Sequence, residues 1–156
     1  MTMQAANAPV AGMAFEQFSF RVEASKVDEL CWALREQSPL YRDEAAARAA
    51  GHAGIPVPPT FLNSSIQAGV TGVNPVDAMG ISRKRALHAG QEYEYLRPIH
   101  VGDVLVGRTT LTEVTEKSGR SGRLRFLTLE TRFSREGVEV AVVRNKVVER
   151  LGREGA

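Results

Sequence analysis

The chain has 156 residues, of which 43% are hydrophobic, and carries 20 basic and 18 acidic side chains. This length fits one domain and excludes a two-domain dehydrogenase or a full (β/α)₈ barrel. The net charge of +2 gives no sign of a nucleic-acid partner, and no apolar run reaches the roughly 18 residues of a membrane-spanning helix.

Compartment and cofactors follow from the same composition. The N-terminus lacks the basic segment of a signal peptide, so a cytoplasmic protein is expected. The single cysteine, Cys31, excludes an internal disulfide and paired-cysteine metal sites, and its position predicts a buried structural thiol. The three histidines His52, His88 and His100 lack metal-ligand spacing. We therefore expect no metal and no redox cofactor.

The first part of the chain predicts a strand and a helix. Residues 1–13 lack periodicity and predict a flexible leader, whereas 15–23 alternate aromatic and polar residues as a strand does. A helix is predicted from Ser25, with Asp28 near capping-box spacing and an end near Gln37 before a proline. One face of this helix is apolar and is predicted to pack on the sheet or its loops: Val27, Leu30, Cys31 and Leu34.

The middle of the chain predicts short helices and loops. Residues 43–51 form an Ala-rich pattern with carboxylates at its start and glycine at its end, as in a short helix. Prolines exclude regular structure up to residue 59, and a third helix is predicted from Thr60. Residues 69–88 predict a long loop, and a loop of that length in a compact domain is often functional.

The last third predicts four long strands separated by short turns, which indicates antiparallel hairpins. These strands are 91–99, 103–117, 123–136 and 138–150. One strand, helices and four antiparallel strands predict an α+β domain over 14–150, with a tail at 151–156 and a sheet wrapped around a central helix. The exposed edge of such a sheet favours pairing with a second chain, so a dimer is expected.

Two blocks of sequence resemble the MaoC-like dehydratases. They are SPLYRDEAAARAAGHAGIPVPPTF at 38–61 and LHAGQEYEYLRPIHVGDVLVG at 87–107. The match is to the N-terminal-type domain, the non-catalytic half of (3R)-hydroxyacyl-ACP dehydratases, and extends to the R-specific enoyl-CoA hydratases. The resemblance implies a single hot-dog fold, a dimer or fused double unit, and acyl-CoA or acyl-ACP substrates of fatty acid metabolism. It also implies reversible addition of water across a trans-2-enoyl double bond.

Active members of that family hold the water with Asp and His in the pattern Asp-x-Asn-Pro-aliphatic-His. In this chain Glu36, Ser38 and Tyr41 stand at the Asp, Asn and His positions. The reaction needs a group that takes and returns a proton, and a tyrosine, with a reference pKa of about 10, is a poor base at neutral pH. The resemblance thus implies a degraded catalytic pair. Glu36 and Tyr41 are a substitute pair, or else a solvated carboxylate and a packed ring.

Three further features are candidates for the site. The family uses the helix start at Pro59, Thr60 and Phe61 to bind the thioester carbonyl; the alternative is a rigid turn with Thr60 as the N-cap. His88 precedes the first long strand and is either a third catalytic candidate or a surface histidine. His100 is predicted to be exposed in a turn.

The basic run Arg83, Lys84 and Arg85 is the remaining candidate. These side chains suit the phosphates of coenzyme A or the acidic face of a carrier protein. The alternative is a solvated basic loop.

The predicted function is an (R)-specific enoyl-thioester hydratase or 3-hydroxyacyl-thioester dehydratase, a hydro-lyase. It acts either as a self-paired chain or as the substrate-binding half beside a catalytic hot-dog chain. One alternative is a hot-dog thioesterase using Glu36, Asp43 or Glu44. The other is a module that binds acyl thioesters without turnover. Thioesterases release free acid and thiol, whereas hydratases give a hydrated thioester.

Overall fold

A computed structural model describes residues 8–64, 74–119 and 122–152. Its strands and helices follow one another in a single domain. They are β1 (Phe18–Arg21), α1 (Ala24–Leu34), a 3₁₀ helix (Pro39–Tyr41), α2 (Glu44–Ala49), α3 (Pro75–Ala78), β2 (Ala86–Tyr95), β3 (Val104–Gly119), β4 (Gly122–Arg135) and β5 (Val138–Gly152). The predicted α+β class is confirmed.

The five strands form one antiparallel sheet in the order β1-β3-β4-β5-β2. The predicted hairpins β3–β4 and β4–β5 are present, but a hairpin between β2 and β3 is wrong, since β2 pairs with β5 instead. The connection between β2 and β3 pairs with the proline-rich segment that precedes α3. The Val57 N–H donates to the Ile99 carbonyl at 3.0 Å, and the Val101 N–H donates to the Ile55 carbonyl at 2.9 Å. These bonds lead the chain across the molecule rather than back along β2.

The N-terminal segment continues along β3 beyond β1. In the predicted leader, Gly12 donates to the Leu111 carbonyl at 2.8 Å, and the Leu111 N–H donates to Met13 at 2.8 Å. Residues 1–7 of that leader and 153–156 of the predicted tail lie outside the described residues.

The two faces of the sheet differ in chemistry. One face carries cross-strand ion pairs, including Arg144 to Glu130 at 2.9 Å and Arg132 to Glu139 at 3.0 Å. The other face buries apolar side chains of β3, β4 and β5, among them Leu105 and Phe133. Because strand side chains alternate between faces, these apolar side chains all point to one side of the sheet.

Helix α1 differs from its prediction at both ends and on one face. It begins after Glu23 without a side-chain cap, so the capping roles predicted for Ser25 and Asp28 are wrong. It ends at Leu34 rather than near Gln37, because Arg35 adopts a left-handed conformation with φ 56°. Val27 and Cys31 are buried as predicted, but Leu34 is 56% exposed.

The exposure of Leu34 sets the expected effect of its truncation. Leu34→Ala is expected to change the free energy of unfolding by less than about 0.5 kcal/mol, as at other surface sites. Leu105→Ala is the matched control: Leu105 is fully buried, and a loss of about 2–5 kcal/mol is expected. Urea denaturation measures both. A loss of similar size in the two variants would contradict the placement of α1.

The shorter elements follow the sequence in part. Helix α2 is confirmed: Asp43 accepts from the Ala46 N–H at 2.7 Å at its start, and Gly51 follows its end with φ 89°. Helical residues after the prolines begin at Asn63 rather than Thr60, and the rest of that predicted helix lies outside the described residues. The uninterrupted loop predicted over 69–88 is wrong, since this range contains α3 and the start of β2. Residues 69–73 of that loop lie outside the described residues.

A close approach between β1 and β3 requires glycine. Gly107 pairs with Phe18 on one side and Phe133 on the other. A Cβ at Gly107 would lie 2.3 Å from Cζ of the buried Phe18 ring. The glycine therefore leaves the space through which Phe18 contacts Phe133, with ring centroids 6.0 Å apart.

Gly107→Ala is expected to destabilise the fold by about 1–3 kcal/mol, because the buried ring must move to admit a methyl group. Gly90→Ala in β2 is the control, since its Cβ would have its nearest contact at 4.0 Å. Chemical denaturation of both variants tests this. Equal stability of the two would show that Phe18 does not occupy the space above Gly107.

Candidate functional site

The segment from Glu36 to Tyr41 is a compact turn. Glu36 Oε1 accepts from the Ser38 N–H at 2.8 Å, and Ser38 Oγ accepts from the Leu40 N–H at 3.3 Å. Pro39 begins the 3₁₀ helix and fixes its φ. The carboxylate and hydroxyl therefore satisfy backbone groups of their own turn.

Tyr41 is half-buried and packs against the larger apolar cluster, which contains Phe18, Phe61 and Phe133 among its members. Its ring fills space between the 3₁₀ helix and the core, which is the packing alternative stated for this residue. Both side chains therefore have partners within the fold.

The Pro59–Phe61 segment is hydrogen-bonded to a tyrosine of β2. Tyr95 Oη donates to the Pro59 carbonyl at 2.9 Å. Burial and the neighbouring Tyr93 raise the Tyr95 pKa, while a hydrogen bond from the Leu62 backbone lowers it. Phe61 is buried, whereas Pro59 and Thr60 are exposed. The Leu62 backbone thus already has the Tyr95 phenol as its partner. A backbone N–H in this segment is the type of group that was expected to bind a thioester carbonyl.

A cavity of about 250 Å³ lies on the apolar face of the sheet. Its walls come from all five strands, from the residues around α3 and from Asn63 after the proline segment: Phe18, Asn63, Asn74, Pro75, Val76, Arg83, Ala86, Leu87, His88, Thr109, Leu129, Thr131, Asn145 and Val147. Of the predicted site residues, only His88 and Arg83 line it. Glu36 and Tyr41 do not, so the structure does not bring the three catalytic candidates together.

His88 lies within β2, opposite Val147, rather than before the strand as predicted. The pairing of β2 with β5 shifts register between His88 and Gly90, which forms a bulge next to the histidine. A bulge re-aims nearby side chains, and His88 is exposed while still lining the cavity.

The predicted phosphate-binding run is largely engaged in ion pairs within the chain. Arg83 Nε donates to Asp77 Oδ1 at 2.9 Å, and this bond lowers the Asp77 pKa. Arg85 lies 3.5 Å from the buried Glu149 carboxylate. Lys84 is exposed and has no ion pair with any described residue. One cation of the three is therefore available for a phosphate without breaking an intrachain pair.

The other two histidines lie beside a second groove. His52 lines this groove of about 320 Å³, together with Pro59 and Tyr95. Its ring meets that of His100, with centroids 5.7 Å apart. The prediction that His100 is exposed is wrong. It is half-buried because Asp103 accepts its backbone N–H at 2.9 Å and folds the turn inward, and burial lowers its pKa.

A polar band divides the apolar face into two clusters. Phe18, Phe133 and Val143 belong to one cluster, and Leu129 and Val147 to the other. Between them lie four polar side chains on four neighbouring strands: Thr109, Thr131, Asn145 and Gln91.

Sequence reasoning missed this band. Its signal was present, since Asn145 alternates with Val143 and Val147 on the inward side of β5. Polar residues at inward positions mark either a structural hydrogen bond or a ligand contact.

Three further findings concern the cysteine, metal ligands and membrane-spanning helices. Cys31 is buried, as predicted, and burial raises its pKa. Over residues 8–64, 74–119 and 122–152, no three His, Cys, Asp or Glu side chains converge as metal ligands. None of the helices in those ranges has the length and apolar character needed to cross a membrane.

Comparison with known proteins gives the family. The model of the FAS1-like dehydratase domain region matches residues 9–143. A UPF0336 protein from Thermobifida fusca is 35% identical over 117 residues, which are 74% of this chain and 73% of that protein.

Solved structures share the fold at lower identity. The ChsH1-ChsH2 complex from Mycobacterium tuberculosis contains a chain with TM-score 0.75, 23% identity and coverage of 91% of this chain and 86% of that one. HadBC, a (3R)-hydroxyacyl-ACP dehydratase complex from the same organism, gives TM-score 0.74, 19% identity and coverage of 91% and 98%. A MaoC-like dehydratase from Rhodospirillum rubrum gives TM-score 0.69, 23% identity and coverage of 95% and 96%. The protein thus belongs to the FAS1-like dehydratase region family, together with UPF0336 proteins, and has the hot-dog fold of the MaoC-like dehydratases.

Proposed function

We propose that this chain is the acyl-binding subunit of an (R)-specific enoyl-thioester hydratase or 3-hydroxyacyl-thioester dehydratase, and that a second hot-dog chain supplies the catalytic Asp and His. The observation that carries the proposal is the set of contacts that Glu36 and Tyr41 make within the fold. Glu36 closes its own turn and Tyr41 packs on the core, so neither is placed to move a proton to or from a substrate.

The cavity supports the binding role. It combines apolar walls from Leu129 and Val147 with Leu87 and His88 of β2, and its volume exceeds the roughly 150 Å³ that holds a benzene-sized ligand. An acyl chain therefore has a place on this subunit even though the reacting carbons are handled elsewhere. Exposed Lys84, near the cavity-lining Arg83, is available to the phosphates of coenzyme A or to an acidic carrier protein.

The sheet supports pairing with a second chain. Among the described strands, β2 has a neighbour on one side only, and its end and continuation expose Leu87, Tyr95 and Leu96. A ten-residue edge strand with apolar side chains favours addition of another strand. The ChsH1-ChsH2 and HadBC relatives are themselves complexes of two different chains. We propose that the partner is a hot-dog chain with the intact Asp-x-Asn-Pro-aliphatic-His pattern and that both chains work in the cytoplasm.

Co-purification with such a chain, followed by crotonyl-CoA hydration, tests the function. The loss of enoyl-thioester absorbance should be negligible for this chain alone. It should rise by about 10²–10⁴-fold in the mixture, which is the contribution of a positioned acid and base. Robust turnover by this chain alone would refute the proposal. Release of free acid and thiol would indicate the thioesterase alternative.

A further inference from the structure

The polar band on the apolar face contains an unpaired donor and an unpaired acceptor. Gln91 and Asn145 are directly opposite each other on β2 and β5, so their side chains lie on the same face. Gln91 Nε2 and Asn145 Oδ1 are both buried, and neither has a hydrogen-bond partner in the part of the chain that the structure describes. Leaving such groups unpaired in an apolar setting is costly, so a ligand or water is expected to satisfy them.

The other half of the band is already satisfied. Thr109 Oγ1 and Thr131 Oγ1 are hydrogen-bonded to each other at 2.8 Å and are both buried. This difference separates the two pairs: the threonines complete a structural bond, whereas the two carboxamides leave one N–H and one C=O open. Within the band, the open pair is therefore where a polar partner is missing.

Position links the open pair to the acyl site. Asn145 lines the 250 Å³ cavity together with Leu129 and Val147. A saturated alkyl chain in this cavity would cover Asn145 with methylene groups and leave its Oδ1 without a hydrogen-bond donor. A hydroxyl group on the chain could donate to Asn145 Oδ1 and accept from Gln91 Nε2, whereas a keto oxygen could only accept.

We propose that this cavity recognises acyl chains that carry a hydroxyl group along their length, with Asn145 and Gln91 as specificity-determining residues. The proposal rests on the function proposed above, because it assumes that the cavity receives the acyl chain. It adds a substrate class to that function: hydroxylated acyl thioesters over plain ones of equal length.

Calorimetric titration of the full chain, alone and with its catalytic partner, provides the test. The probes are dodecanoyl-CoA and a series of hydroxydodecanoyl-CoA isomers with the hydroxyl at successive carbons beyond C4. At one or two of these positions the hydroxylated thioester should bind about tenfold more tightly than the plain one, the gain expected for two added hydrogen bonds. A keto group at the same carbon should gain less.

Asn145→Leu removes the acceptor and should reduce the preference to about onefold. If that variant does not fold, Gln91→Met serves as the second variant, with Gln17→Met at an exposed position as its matched control. The control should retain the full preference. Equal binding of plain and hydroxylated chains at every position overturns the inference, as does a preference that survives both Asn145→Leu and Gln91→Met.

The two proposals fail separately. If the unaltered chain shows no hydroxyl preference but the partner restores crotonyl-CoA turnover, this inference alone is overturned. A hydroxyl preference in binding with no turnover in any mixture would keep the inference and refute the hydratase function.

Discussion

Replacing Phe133 with alanine is expected to lower the free energy of unfolding by about 3–5 kcal/mol, the usual cost of removing a buried aromatic ring. Phe133 is fully buried and lies at the junction of β4 with β1 and β3. Its ring meets Phe18 and Phe20 edge-on, with both centroid distances 6.0 Å. Truncation removes both contacts, and the glycine at position 107 has no side chain to fill the space.

The same strand offers a matched control. Phe126 is half-buried on β4, where Lys117 Nζ lies 5.4 Å from its ring centroid. Phe126→Ala is expected to cost clearly less than Phe133→Ala, because less apolar area returns to water. Equilibrium denaturation in urea measures both. A smaller loss for Phe133→Ala would move the aromatic cluster out of the centre of the fold.

Within a complex of this chain and a catalytic hot-dog chain, Glu36→Gln and Tyr41→Phe are expected to change turnover by less than about twofold, since in the proposed division of roles neither group transfers a proton. Removing the partner's catalytic carboxylate should lower turnover by about 10²–10⁴-fold. Initial rates with crotonyl-CoA at saturating partner give both values.

Stability measurements separate chemistry from folding in this experiment. Glu36→Gln keeps an oxygen that can accept from the Ser38 N–H, and Tyr41→Phe keeps the ring that packs on the core. Both variants should therefore remain folded. A drop of two orders of magnitude in turnover with unchanged stability would place Glu36 or Tyr41 in the catalytic machinery and contradict the proposed division of roles.

The strands were predictable because their signal is local. Residues alternate along β3, β4 and β5, and a glycine-containing turn precedes β5, so element type and hairpin pairing follow from neighbouring positions. The placement of β2 was not predictable, since its paired residues in β5 lie 46 to 63 positions further along the chain and no short-range pattern encodes that choice. The burial predicted for Leu34 was wrong for a related reason. Helical periodicity identifies the apolar face of a helix, but the end of the helix at Arg35 decides how far along that face the side chains are buried.

The site was predictable in its unusual residues and not in its assembly. The substitutions at positions 36 and 41 were visible against the family pattern, and the structure explains them through a closed turn and a packed ring. The contact of Tyr95 with Pro59 joins residues 36 positions apart. The polar band draws its four members from four strands. Both depend on the pairing of β2 with β5, so both were outside the reach of local sequence patterns.

The hydrogen bonds of Tyr95 have a consequence for any attempt to convert this chain into a self-sufficient enzyme. Restoring Asp, Asn and His at positions 36, 38 and 41 would replace the proton-transfer groups only. The Tyr95 phenol would still be hydrogen-bonded to the Pro59 carbonyl and the Leu62 backbone, where the family resemblance places the group that binds the thioester carbonyl. Under the proposed division of roles, conversion therefore requires a change on β2 as well, so that two separate segments of the chain would have to be altered.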